Sequence, residues 1–297
     1  MSNATNAASA ALSKTDGLHP SLLVMWPARA LFVGPAFALS PHRNAVAVLA
    51  VGLDVPLKLA RDPRRPRAGV LAHRTVLIAP NALHRLDAEG DCAFLYVDAA
   101  SRDLAVLRAS CTERARGLAF RLASEDRLLR ALRELDGVAD DAGQGALDAV
   151  LAALPLAPRE DVDARVGEAV RRVLAQPAHP WTAAELATAV GLSASHFQQR
   201  FSAVTGVPLR RMRLWARMRS AVAAALRGAT LTEAALAAGF ATPSHFSAAF
   251  REMFGMAPNQ LMGRRPRLID LSTEASLPPR PTRSGAAPDR YFSGAAQ

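Results

Sequence analysis

The chain has 297 residues, half of them apolar, a formal net charge of +10 and two cysteines. That length suggests two domains of ordinary size with real cores, and Cys92 and Cys111, which lack ligand-like spacing, exclude a disulfide framework or a structural zinc site. The opening MSNATNAASAALSKTDG has no basic start followed by an apolar run. No later stretch reaches the roughly 20 uninterrupted apolar residues of a membrane helix, so a cytoplasmic chain with no membrane partner is expected.

Charge placement says more than its total. Only Lys14 and Lys58 among the 36 basic residues are Lys, and between Trp181 and Arg265 ten Arg stand against Glu185, Glu233 and Glu252, a local balance of +7. Such a surface attracts polyanions, either nucleic acid or an anionic membrane.

In chain order, residues from about Leu22 to Asp98 alternate apolar runs with turn residues, in LLVMW, AVAVLAVGL, TVLIAP and CAFLYVD. These predict the strands of a small β domain. After Ser101 the period becomes helical, through SRDLAVLRAS, SEDRLLRALRELDG and GALDAVLAAL. Two prolines and a charge cluster in LPLAPRED mark a break. Beyond it, DVDARVGEAVRRVLAQ places Val162, Val166, Ala169, Val170 and Val173 on one apolar stripe. The segment from Gly263 onward, rich in Arg, Pro, Ser and Gly, reads as a loose tail. The expected division is a disordered start (1–20), an effector and dimerisation domain (21–155), a linker (156–160), a DNA-binding domain (161–266) and a disordered tail (267–297).

Two stretches repeat. ASHFQQRFSAVTG and PSHFSAAFREMFG share Ser-His-Phe, a second Phe and a closing Gly, placing Phe197, Phe201 and Gly206 in parallel with Phe246, Phe250 and Gly255. In the first copy Thr182 caps the short helix TAAELATAV, Gly191 turns the chain and Ser193 caps a second helix running to about Thr205. In the second, TEAALAAGF turns at Gly239, Thr242 is the N-cap, Pro243 takes the first helical position, and the turn is one residue longer. Each copy is a helix-turn-helix.

Within each second helix the helical period turns Phe197, Phe201 and Val204, or Phe246, Phe250 and Met253, to the core. The opposite face shows Ser195, Gln198, Gln199 and Ser202 first, then Ser244, Ser247, Ala248 and Arg251. A polar helix face is commonly only solvated, but this one lies on the element that enters the major groove, where Gln pairs with adenine and Ser bonds several bases. Ser195, Gln198, Gln199, Ser244 and Ser247 are therefore the candidate base readers. His196 and His245 abut the core face and suit packing or phosphate contact.

Between the copies PLRRMRLWARMRSAVAAALRG predicts a helix from Pro208 to Leu226, roughly 28 Å long at about 1.5 Å per residue. That approaches the roughly 34 Å of one DNA turn, so one chain could present two reading helices to successive major grooves. Ser202, Arg210, Arg211, Arg213 and Arg251 are candidate backbone contacts, joined by Arg219 and by Arg217, which could instead pair with an acid inside the domain.

Residues 181 to 262, through GLSASHFQQRFSAVTGVPL, RLWARMRSA and GFATPSHFSAAFREMFGMAP, resemble the DNA-binding domain of the AraC/XylS family of bacterial transcription regulators. The resemblance implies two helix-turn-helix subdomains joined by a linking helix, with base-reading positions on Ser195, Gln198 and Gln199, then on Pro243, Ser244, Ser247 and Ala248. Departures lie in the second half. Ala248 stands where many members carry Arg, Ala234 and Ala238 replace larger aliphatic residues, and Leu261 and Met262 follow Pro258 in place of an aromatic and an Arg.

The amino-terminal half resembles the family's sensing domain more loosely, through TVLIAPNALHRLDAEGDCAFLYVD. The implied fold class is α+β: a cupin-like β-barrel sensing domain with flanking helices, and an all-α domain of two helix-turn-helix subdomains. The resemblance also implies an unidentified small-molecule effector, for which His42 and His84 are candidate contacts, a homodimer, with Ser124 to Leu135 as one candidate surface, and RNA polymerase as a further partner. A cupin-type metal enzyme fused to a DNA-binding domain is the rival. Its usual first motif needs two His separated by one residue, where this chain has His42, Arg43 and Asn44, and His42, His73 and His84 make no convincing facial site. No cofactor, metal or enzyme activity is expected. A third reading, an architectural protein that bends DNA with little sequence choice, fits less well with a specific reading face.

Overall fold

The computed structural model describes residues 21–65, 69–115, 117–135, 143–156 and 161–272. The amino-terminal half contributes β1 (Leu22–Met25), β2 (Ala30–Pro35), β3 (Val48–Gly52), β4 (Leu57–Ala60), β5 (Val70–His73), β6 (Thr75–Ile78), β7 (Leu86–Asp87) and β8 (Asp91–Tyr96). There follow α1 (Asp103–Ala109), the hairpin β9 (Cys111–Ala115) and β10 (Leu118–Leu122), α2 (Glu125–Glu134) and α3 (Gly143–Ala153). The helical half contains α4 (Ala164–Ala175), α5 (Ala183–Ala189), α6 (Ala194–Thr205), α7 (Leu209–Leu226), α8 (Leu231–Ala237), α9 (Pro243–Phe254) and α10 (Pro258–Gly263), and closes with β11 (Arg267–Asp270).

The main sheet has eight strands in the order β11-β1-β2-β8-β3-β6-β10-β9, and a smaller one has the order β5-β4-β7. The large sheet stays open between β11 and β9, so the domain is a cupin-like open sheet rather than a closed barrel. Every residue of β1, β3 and β6 is buried, because the sheet is covered on both faces. Alternate side chains serve two cores. Leu22, Val24, Leu31, Leu49, Leu77 and Leu95 pack under α2 and α3, whereas Leu23, Met25, Phe32, Val48, Ile78 and Phe94 face the opposite way. Their core is continuous with that of the helical half.

Two expectations need correction. Val162 is half exposed and outside the apolar stripe, because α4 begins only after Asp163, whose carboxylate accepts from the backbone N–H of Arg165 and Val166. The loose tail does not begin at 267: β11 pairs parallel with β1, Leu22 opposite Arg267 and Met25 opposite Asp270, and Asp270 forms an ion pair with Arg227. The disordered start, nearly all of the linker at 156–160 and residues 273–297 of the tail lie outside the described residues. Among the described residues no helix is long and apolar enough to cross a membrane.

Candidate functional site

Both helix-turn-helix units are built by local chemistry. Thr182 caps α5 in a capping box with Glu185, and Thr230 does the same for α8 with Glu233. Each Glu carboxyl is held below its usual range, first by the backbone N–H of the cap residue and then by its hydroxyl. The turns pivot on Gly191 and Gly239, both with positive φ. Ser193 and Thr242 accept the N–H of His196 and His245 to start α6 and α9, with Pro243 in the first turn of α9. Both helices end in a left-handed glycine, Gly206 (φ 75°) and Gly255 (φ 72°). Phe197, Phe201, Phe246 and Phe250 are at most 1% exposed, which fixes the rotation of each helix and leaves the opposite face outward.

On those faces Ser195, Gln198, Gln199, Ser244 and Arg251 are exposed, and Ser202 and Ser247 are half-buried. Arg210 is exposed at the start of α7. Arg211 is turned inward instead: its guanidinium binds the Glu252 carboxylate at 2.8 Å and the Arg43 carbonyl at 2.5 Å. Arg213 is half-buried, and Arg217 donates to the Pro177 carbonyl rather than to an acid. Arg219 is buried against the amino-terminal domain, donating to the carbonyls of Trp26, Pro27 and Arg29 beside the Trp215 ring. Burial lowers its pKa to about 10, so it stays charged at neutral pH. On α6, Arg200 pairs with Asp163, and that pair lowers the carboxyl pKa against the opposing pull of desolvation.

A second candidate site lies where the two halves meet. It is an apolar cleft, open in part to solvent. Sheet residues including Met25, Phe32, Ile78 and Phe94 form one wall, and Trp215, Met218, Val222, Phe250 and Phe254 form the other. Its polar groups are few: His42, Asn44, His84, Tyr96 and Arg219. His42 and His84 face each other across an antiparallel bridge, ring centroids 4.1 Å apart. Both pKa values are lowered, mainly by burial, that of His84 to about 3 with His42 and Arg43 adding to the effect. Burial also keeps the Tyr96 phenol protonated.

The cavity abuts α9. Ser40 N–H donates to the Gly255 carbonyl at 2.8 Å, and Arg43 N–H to that of Glu252 at 3.3 Å. A β-carbon on Gly255 would stand 2.5 Å from His42 Nδ1 and from the Ser40 carbonyl. His73 lies apart from the other two histidines, stacked on Phe120, and no three His, Cys, Asp or Glu are grouped to hold a metal among the described residues.

A family model described as a helix-turn-helix domain, of the AraC type, matches residues 186–264. Residues 186–264 are an AraC-type helix-turn-helix domain. Apo ToxT from Vibrio cholerae shares its fold over 80% of this chain and 97% of that one, at 15% identity and a TM-score of 0.53. ToxT with an unsaturated fatty acid bound matches over 79% and 94%, at 14% identity and a TM-score of 0.50. ToxT bound to (E)-4-(8-methylnaphthalen-1-yl)but-3-enoic acid matches over 80% and 99%, at 12% and a TM-score of 0.51. No curated protein sequence matches the chain.

The departures of the second helix-turn-helix unit divide between its two sides: Ala248 is exposed on the outer face of α9, whereas Ala234, Ala238 and Leu261 are buried. Ala234 and Ala238 are each 1% exposed, and Phe240, Phe246 and Phe250 fill the space around them with edge-on ring contacts. Sequence reasoning missed the cavity residues of α7. Trp215, Met218 and Val222 recur at helical spacing, which signals a buried face without saying what it faces.

Proposed function

We propose that this regulator reads two successive major grooves, through Ser195, Gln198 and Gln199 on α6 and through Ser244 and Ser247 on α9. Arg210, Arg251 and Ser202 lie against phosphates, and Arg200 joins them when it releases Asp163. Supporting this is the pairing of two capped units across the 18-residue α7, which spans about 27 Å. Arg211 and Arg219 serve instead to hold the DNA-binding domain (161–266) to the effector domain (21–155), across a linker at 156–160. The protein acts in the cytoplasm as a homodimer, meets RNA polymerase at promoters and has no enzymatic activity of its own.

The cavity between the halves takes a small apolar effector. Its apolar walls with a few polar groups have the makeup of a ligand pocket, and the ToxT structures with bound organic acids carry small molecules on a similar fold. Occupancy is felt by α9 through His42 and Gly255. A salt titration of the full chain on genome-selected and scrambled DNA tests the reading. We expect a steep loss of affinity with salt on both and at least a hundredfold preference for selected fragments at physiological salt. Equal affinity for the two would favour an architectural protein.

A further inference from the structure

The polar groups of the cavity carry a chemical preference that its apolar walls do not. His42 Nδ1 lies 2.8 Å from the Ser40 carbonyl and His84 Nδ1 lies 3.1 Å from the Ala82 carbonyl. A carbonyl oxygen only accepts, so each Nδ1 carries the proton and each neutral ring keeps its lone pair on Nε2. Neither Nε2 has a hydrogen-bond partner among the described residues. Beside them Asn44, 3% exposed, has a buried Oδ1 without a partner. Two imidazole nitrogens and one amide oxygen thus present acceptors, and no protein donor answers them. Of these only Asn44 Oδ1 is fully buried and unpaired; a ligand that brings a donor to an imidazole lone pair in this apolar setting gains a hydrogen bond.

Resting on the reading of this cavity as the effector site, we propose that the effector is a neutral apolar alcohol or phenol. Its hydroxyl donates its one proton to an Nε2 of the His42–His84 pair and accepts from the Asn44 amide, and its hydrocarbon part lies against Trp215, Phe250 and Phe254. A hydroxyl both donates and accepts, so it suits Asn44 with either end of its amide toward the ligand. A carboxylate fits less well. It would bring only lone pairs to a cluster of lone pairs, and both histidines resist the protonation that would turn them into donors. Arg219 is the one cation on the wall. Its terminal nitrogens already donate to three backbone carbonyls, so the fork that grips carboxylates is occupied. The effector class therefore differs from the organic acids bound in the ToxT structures. The hydroxyl would sit one ring away from Gly255, so it would bear on the junction between His42 and the end of α9.

The experiment is calorimetric titration of the full chain with three probes of matched shape: para-propylphenol, para-propylbenzoate and propylbenzene. The phenol is expected to bind roughly tenfold more tightly than either of the others, the worth of one good hydrogen bond. Asn44→Leu and, separately, His84→Phe, each checked for an unchanged circular dichroism spectrum and retained DNA binding, should each weaken the phenol severalfold and leave propylbenzene unchanged. If one variant fails to fold, the other carries the test. Benzoate binding as tightly as phenol, or a phenol preference that survives substitution, would overturn the alcohol assignment while leaving the cavity as the effector site. Binding of none of the three would overturn the cavity reading and the assignment with it.

Discussion

Gln198 and Gln199 differ from Ser244 and Ser247 in reach, and all four sit on helix faces turned away from buried phenylalanines. A bidentate Gln–adenine pair discriminates by about 1–3 kcal/mol, whereas a serine hydroxyl bonds several bases with little preference. Binding profiles over randomised DNA should therefore show one sharp stretch and, about one helical turn away, a tolerant one. Changing Gln198 or Gln199 to Ala should relax the sharp stretch by about that energy. Arg251→Ala should weaken all sequences alike and lower the salt slope by about one phosphate. Equal sharpness in both stretches would reject this assignment of roles. A second residue-scale consequence concerns acid. His84 titrates near 3 in the folded protein and near 6.5 when free, and His42 is shifted the same way. Below pH 6.5 the unfolded chain takes up protons that the folded chain refuses. Stability is therefore full above that pH and falls toward pH 3, by about 1.4 kcal/mol per unit for one histidine. Urea midpoints at pH 7.5 and 5.5 should show this fall. His84→Gln should shrink it, and an unchanged slope would mean that these rings do not govern the acid response.

At the scale of elements, the two left-handed caps separate local strain from domain contact. Gly206 and Gly255 have nearly equal φ, so replacing either by Ala carries the same backbone cost, about 1–2 kcal/mol. The new methyl on residue 206 would lie 3.3 Å from Pro80, a modest squeeze, whereas on residue 255 it would meet His42 and the Ser40 carbonyl at 2.5 Å. Gly255→Ala should thus cost at least about 1 kcal/mol more than Gly206→Ala in chemical unfolding, the penalty of overpacking a closed contact. Equal losses would show that the end of α9 is free of the amino-terminal domain. The helix-turn-helix units were readable in sequence because caps, turn glycines and phenylalanine spacing all act within a dozen residues: Thr182, Ser193, Thr242, Gly191 and Gly239 stand where the pattern predicted them. The strands of LLVMW, AVAVLAVGL, TVLIAP and CAFLYVD were readable as apolar runs. The hairpin at Cys111–Leu122 was not, since β9 is an edge strand with four exposed residues and no inward alternation. Arg211 and Arg219 looked like phosphate ligands because nothing local distinguishes an arginine aimed at DNA from one aimed at Arg43 or Trp26 carbonyls across a domain boundary.

Across the whole molecule, the helical half is held to the amino-terminal domain at both of its chain ends. It enters past the bridge between Ser101 and Asp161, with Val162 N–H donating to the Ala100 carbonyl, and it leaves through β11 in the main sheet beside β1. Between these lie the Gly255, Arg211 and Arg219 contacts, and one apolar core runs through both halves. Domains joined by such an interface should melt together rather than in turn. Stopping the chain after Pro266 removes the β11 ladder, the half-buried Leu268 and Ile269, and the partner of Arg227. Area and pairing of that size stabilise by about 1–3 kcal/mol. In a chain of this length each kcal/mol moves the midpoint by roughly 2–4 °C. Calorimetry should show one transition for the full chain and, for the shortened chain, a lower midpoint with the transition broadened or split as the halves uncouple. The shortened chain should still bind DNA, because no proposed reading residue lies beyond Arg251. A shortened chain that melts at the same temperature in one equally sharp transition would show that β11 contributes nothing to joining the domains, and the coupling would then rest on the Ser101–Asp161 end, the Gly255, Arg211 and Arg219 contacts and the shared apolar core.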